Sequence, residues 1–289
     1  MRLASLRSRD GAFIGLRREH GYLNLTAALP DLRYSDVVTW VQTGLVDAAK
    51  IAEIERAEGP VVPFDQVVFA PLVAPSSKVI CLGLNYVDHA AEANFKKPDY
   101  PVIFNRFPQS FTGHDRALVM PMVSTAIDYE AELCVVIGKR GRHISKENAL
   151  SHVLGYTLLN DGSIRDWQVR THQWTLGKNF ESSGAVGPEL VTADELPPGA
   201  RGLLLTGRLN GTVMQQATTS DMIFDVETTI EYLSKAFTLE PGDLIAMGTP
   251  AGIGFARNPQ VFMKPGDVFE VEVDKIGTLR NKIVAEAHE

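Results

Sequence analysis

Only two cysteines occur in 289 residues, Cys81 and Cys134. Both lie in apolar strand-like runs, Val79-Ile80-Cys81-Leu82 and Leu133-Cys134-Val135. They read as reduced, buried small hydrophobes, because neither has the electropositive, accessible setting of a nucleophilic thiol. No apolar run is long enough to span a bilayer. A basic surplus is missing too: the formal net charge is −7. That argues against nucleic-acid and anionic-membrane binding, although a small anionic substrate responds to local charge and stays admissible. The opening stretch, Met1 to Arg7, lacks the apolar core of a secretory signal. Its Arg and Ser content faintly resembles an organelle transit peptide, but it runs straight into the strand-like Ala12–Leu16, so a cytoplasmic location is expected. The chain has no zinc motif, no Gly-x-Ser-x-Gly elbow and no phosphate-cradling Gly-Lys-Ser/Thr loop.

What remains is an ordinary globular composition, 45% hydrophobic and 22% charged, sized for one large domain or one large and one small. Residues 1–72 read as a small α/β unit with a linker. Strands are expected near Leu3–Leu6 and Ala12–Leu16. A helix capped by Ser35 is expected to run toward Ile54, followed by a proline-bearing linker from Pro60 to Pro75. Residues 73–289 read as the larger unit, rich in strands. Candidates are Lys78–Leu84, Pro101–Phe104, Leu133–Ile137, Gly155–Asp161, Leu244–Met247, Val268–Val273 and Thr278–Val284. Asn210-Gly211 suits a type I′ hairpin turn between Leu203–Leu209 and Thr212–Ala217. Helices are expected at Val87–Asn94 and Val226–Phe237. The fold class is α+β, mostly β, with a mixed sheet, roll or barrel.

The most informative segment is Asp128-Tyr129-Glu130-Ala131-Glu132, followed at once by an apolar run. On a strand its three carboxylates would point the same way. Two carboxylates about 4 Å apart repel by roughly 4 kcal/mol at an effective dielectric near 20. A divalent cation is the simplest compensation, and an all-oxygen set favours Mg²⁺ or Mn²⁺, with Ca²⁺ also admissible. Asp161 ends a strand nearby and completes a three-carboxylate set with Glu130 and Glu132, open on its far side as a catalytic metal requires. His89 and Glu92 share a helix face, and a carboxylate beside an imidazole makes a usable general base. Lys178 reads equally as a solvated lysine or as a charge placed for an oxyanion. The glycine-rich Gly248–Gly254 loop is either structural or presents N–H groups to a carboxylate. His114 carries no assigned role.

In chain order, Gly83–Glu92, Asp128–Leu133, Asn160–Gln168, Trp174–Phe180 and Gly248–Gly254 together resemble the fumarylacetoacetate hydrolase family. The likeness spans Lys78 to the C-terminus and is specific for the family, much less so for the reaction. It implies a mostly β catalytic fold, a homodimer, and Mg²⁺ or Mn²⁺ held by Glu130, Glu132 and Asp161. It also implies a His89–Glu92 dyad on a segment that closes over substrate, with Arg165, Gln168, Lys178 and Thr249 contacting that substrate. Arg106 stands near where many relatives carry a lysine. It keeps the charge as a planar fork, so its substrate contact is expected to differ from theirs.

The activity so implied is metal-dependent hydrolysis of 2,4-dioxo acids (acylpyruvates such as fumarylpyruvate, maleylpyruvate or acetylpyruvate) to pyruvate and a carboxylic acid. Glu92 would orient His89, His89 would deprotonate water for attack at C4, and Lys178 with Gln168 would stabilise the oxyanion. Oxaloacetate decarboxylation, or isomerisation of a 2-hydroxyhepta-2,4-diene-1,7-dioate-type substrate, uses the same scaffold. A non-catalytic metal- or ligand-binding protein is the rival of another class.

Overall fold

The computed structural model describes residues 1–29, 31–46, 48–92 and 96–287. Its backbone is a twelve-stranded mixed sheet. The central order is Arg2–Ser8, Gly184–Thr192, Val153–Asn160, Ala131–Ile137, Leu244–Ala246, Val79–Gly83, Val102–Arg106. Leu244–Ala246 runs parallel to Val79–Gly83, and its other neighbour is antiparallel. A five-stranded sheet packs against it, ordered Thr212–Thr218, Leu204–Leu209, Val268–Val273, Gly277–Ala285, Leu118–Met120. The sheets are open paths, and none closes into a barrel among the described residues.

The strand Ala131–Ile137 shows why the sequence folds this way. It is buried at every position, because both faces of the large sheet are covered. Leu133, Val135 and Ile137 pack toward Leu205, Phe269 and Val271 of the second sheet. Cys134 and Val136 pack toward Val38 and Trp40 of the N-terminal helices. A strand covered on both sides is apolar throughout and does not alternate, as its sequence shows. Cys81 and Cys134 are both buried and reduced.

The acidic segment departs from a single continuous strand. Ile127–Asp128 pairs with Ser163–Ile164 in a separate two-stranded ribbon, and the long strand begins only at Ala131. Asp128 is thereby parted from the other two acids. Other differences concern the first 75 residues. The expected long helix is two, Val37–Val41 and Ala48–Glu55. Gly44 at φ +72° follows the first, and the cap is Asp36, whose Oδ1 accepts the Thr39 N–H at 2.7 Å. The expected linker carries two short strands: Val61–Pro63 pairs with Gly21–Asn24, and Val68–Phe69 with Arg2–Ser8. The N-terminal strands also continue the large sheet, through pairing of Arg2–Ser8 with Gly184–Thr192. The helix expected over Val87–Asn94 is seen as Val87–Glu92, and Asn94 lies outside the described residues. Asn210 and Gly211, at φ +51° and +79°, form the expected hairpin turn. No helix among the described residues is long and apolar enough to cross a membrane.

Candidate active site

Antiparallel pairing builds the acidic cluster. Ala131 pairs with Asn160, and the Asp161 N–H donates to the Glu130 carbonyl at 2.9 Å. Glu130 and Asp161 are therefore neighbours across two strands, with Glu132 one pleat along. One ligand oxygen from each of Glu130, Glu132 and Asp161 lies within 4.8 Å of the others, and all three residues are buried.

Cations surround two of these acids and leave the third alone. Lys178 Nζ donates to Glu130 Oε2 at 2.7 Å and to Asp161 Oδ2 at 2.6 Å. Arg165 donates to Glu130 Oε1 at 2.7 Å and to Asp128 Oδ2 at 2.8 Å. Arg106 donates to Asp161 Oδ1 at 2.7 Å. Among the described residues no cation pairs with Glu132, whose Oε2 accepts the Gly248 N–H at 2.8 Å. Burial, then Asp161 and Glu130, push the Glu132 carboxyl well above its usual range. Burial also opposes charge on Glu130, but Lys178, Arg165 and His89 outweigh it and hold that carboxyl far below the ordinary value. Lys178 is raised although burial lowers it, because Asp161 and Glu130 prevail. Four buried carboxylates thus face three buried cations. The one acid left without a cation, Glu132, and the all-oxygen donor set fit a hard divalent ion.

An expected result follows for the metal-free protein. Because folding raises the Glu132 pKa, its carboxyl supports stability below the unfolded value near 4.3, and that support is lost as pH rises. Glu132→Gln is expected to be more stable than the wild type at pH 7 by about 1–3 kcal/mol, with the gap closing toward pH 4. Mn²⁺ is expected to raise the melting temperature of the wild type and barely move that of the variant. Thermal melts at several pH values with and without Mn²⁺ check this; equal metal responses would count against the assignment.

The dyad lines a cavity together with Glu130 and Glu132. His89 Nδ1 is 2.9 Å from Glu92 Oε1, and Glu92 Oε2 accepts the Gly252 N–H at 2.9 Å. With the Nδ1 proton given to Glu92, Nε2 carries the lone pair. The glycine-rich loop does present N–H groups to carboxylates, and they are the protein's own. Gly248 donates to Glu132, Gly252 to Glu92, and Gly254 with Phe255 to Asp128. At Gly252, φ is +108° and an added Cβ would lie 2.1 Å from the Met214 carbonyl oxygen. Gly252→Ala must therefore displace the loop and release Glu92. The variant is expected to lose about tenfold or more in turnover while still binding Mn²⁺ at the acidic cluster. Kinetics beside a Mn²⁺ titration check it.

This cavity, of about 320 Å³, is lined by His89, Glu92, Glu130, Glu132, Arg165, Gln168, Lys178 and Thr249, together with apolar residues. Eight of the ten residues singled out in the sequence meet there, and Asp161 lies directly behind, under Lys178. Arg106 is the correction. Its side chain is fully buried, does not line the cavity, and spends its donors on Ser110, Asp161, Gly162 and Ser183. It supports a candidate metal ligand and is not placed to touch substrate. Thr249 lines the wall, but its hydroxyl donates to the Ala131 carbonyl and accepts from Gln215. Gln215, which clamps the start of the acidic strand by accepting the Ala131 N–H at 3.0 Å, was not legible in the sequence, since an exposed hairpin strand gave no hint of it. His114 lies away from the cavity and packs edge-on against Phe69.

Comparison with known proteins identifies the family. Residues 78–284 match the model of the fumarylacetoacetate (FAA) hydrolase C-terminal family. The human protein named oxaloacetate tautomerase FAHD2A, mitochondrial, is 39% identical over 98% of this chain and 92% of its own length. Among solved structures, fumarylacetoacetate hydrolase from Exiguobacterium antarcticum superposes with a TM-score of 0.84 at 32% identity, covering 99% of this chain and 100% of its own. The 2-hydroxyhepta-2,4-diene-1,7-dioate isomerase of Mycobacterium marinum gives 0.77 at 30% identity, with complete coverage of both. On these matches, and on the acidic cluster that the family's motifs build here, the chain belongs to the fumarylacetoacetate hydrolase family of enzymes.

Proposed function

We propose that the protein catalyses keto–enol proton transfer on small 2-oxo acids, with oxaloacetate the leading substrate. The observation that carries this is the His89–Glu92 pair lining one small cavity with Glu130 and Glu132, which cluster with Asp161 behind them. A relative named as an oxaloacetate tautomerase, matching 98% of the chain, supports the choice of substrate. Mg²⁺ or Mn²⁺ bound by Glu130, Glu132 and Asp161, and a homodimer, are part of the reading.

A divalent ion there supplies the positive charge that holds a 2-oxo carboxylate and lowers the cost of enolate charge. The chain does the proton work. His89 Nε2 takes the proton from C3, and Glu92 stabilises the imidazolium that results. Lys178 gives two N–H donors to Glu130 and Asp161 and keeps its third for charge developing on the C2 oxygen. His89 then returns its proton to that oxygen, or to C3 in the reverse direction. Gln168, whose Oε1 accepts from Arg165 at 2.8 Å, has its amide N–H groups left to orient the substrate.

The same dyad favours a second reading, hydrolysis of acylpyruvates, in which His89 activates water for attack at C4. One experiment separates the two. The Mn²⁺-loaded protein is given oxaloacetate and acylpyruvates, with enol absorbance, pyruvate and carbon dioxide followed together. Enol–keto relaxation of oxaloacetate without pyruvate supports tautomerisation. Pyruvate with the matching free acid supports hydrolysis, and pyruvate with carbon dioxide supports decarboxylation. No turnover of any 2-oxo acid would leave a binding protein.

A further inference from the structure

The lining of the cavity is of two kinds. One part is polar: the carboxylates with Arg165, Lys178 and Gln168. The other is apolar: Leu84, Phe104, Val169, Trp174, Ile253 and Phe255. The apolar part is a built surface. Phe104 and Trp174 meet edge to face, with ring centres 5.5 Å apart. Trp174 is seated over Gly83, where an added Cβ would lie 2.6 Å from the indole Cζ3. The aromatic rings also back the cations: Phe104 lies 5.0 Å from Lys178 Nζ and Phe255 lies 5.9 Å from Arg165 Cζ.

Arg165 and Lys178 are the sole lysine or arginine side chains lining this cavity among the described residues. Both are already committed to acids. Arg165 makes one bond from each of its three nitrogens, so two of its five N–H donors remain. These serve a second carboxylate that lies close to the reacting carbons, as in a four-carbon diacid. A carboxylate at the end of a longer chain finds no further lysine or arginine in this lining, and against the apolar residues it loses hydration and gains no partner. Glu92 on the same cavity adds repulsion.

We infer that this wall is a subsite for an uncharged tail. The substrate class is then 2-oxo acids that carry either an apolar substituent or, at most, a second carboxylate no farther than C4. Six- and seven-carbon diacids are rejected, so fumarylpyruvate and maleylpyruvate fall outside the class, and acetylpyruvate falls within it. The inference rests on the reading that the 2-oxo carboxylate end binds at the acidic cluster.

The test is a pair of equal length, 2-oxohexanoate and 2-oxohexanedioate, which differ in the terminal carboxylate. Exchange of the C3 hydrogens in D₂O, followed by NMR with the Mn²⁺ removed before measurement, reports turnover of both. The monoacid is expected to exceed the diacid by about 10²-fold in kcat/KM. Val169 is 59% exposed on the cavity rim, so Val169→Arg is tolerated by the fold. It is expected to raise the diacid's kcat/KM at least about tenfold, and so to narrow or invert the preference for the monoacid. Calorimetric binding of the same pair distinguishes the two claims. Preference for the monoacid in Kd without any exchange keeps the subsite and removes the proton-transfer reading. Equal binding and equal exchange of the two acids, with oxaloacetate active, overturns the subsite alone.

Discussion

Arg106→Met is expected to cost the protein about 3–5 kcal/mol, because it leaves a buried charge without its partner. The guanidinium is fully buried between Val102–Arg106 and the cluster, bonded through Nη1 to Asp161 and the Gly162 carbonyl, through Nη2 to Ser183 and through Nε to Ser110. It also stacks over Phe111, 4.5 Å from the ring centre. Methionine fills much of the volume but supplies none of the four bonds. Lysine restores the charge but not the fork, so Arg106→Lys is expected to recover only part of the loss. Urea unfolding with an unchanged slope measures the difference. A loss below about 1 kcal/mol would sink the claim that this arginine neutralises Asp161, since that is the size of an ordinary net hydrogen bond.

His89→Ala is expected to lower kcat on oxaloacetate by about 10²–10⁴, the usual contribution of a general acid–base group. Metal affinity and melting temperature should stay near the wild-type values, because among the described residues the imidazole's one hydrogen-bond partner is Glu92 on its own short helix. Glu92→Gln keeps a neutral acceptor for Nδ1 but stabilises the imidazolium less, and is expected to lose less. The double variant should be little worse than His89→Ala, since the two act as one unit. Wild-type turnover in His89→Ala would remove the dyad from the chemistry.

Much of this site could be read from the chain because its parts are local. The acidic segment and its apolar continuation declare a strand covered on both faces, and Asp161 ends the strand that pairs with it. His89 and Glu92 need only one helical turn to meet. What stayed hidden depends on long-range pairing. Gly184–Thr192, a central strand between Arg2–Ser8 and Val153–Asn160, contains Gly184, Gly187 and Pro188, which disguise it as a loop. Asp128 looked like a third member of one acidic face. A break in the strand after it sends its carboxylate to the backbone of Gly254 and Phe255 instead. Arg106 looked like a substrate contact because its charge is visible in sequence and its 55-residue reach to Asp161 is not.

The single loop from Gly248 to Phe255 has an evolutionary consequence. One stretch of backbone holds the partner of the proposed base, a candidate ligand and the acid that anchors Arg165. None of these can drift alone, because moving the backbone disturbs all of them at once. The part of the apolar wall outside that loop is free of that constraint: Val169 and Trp174 anchor none of those acids. Diversification toward new tails has its cheapest route there, by exchanging side chains that the chemistry never touches.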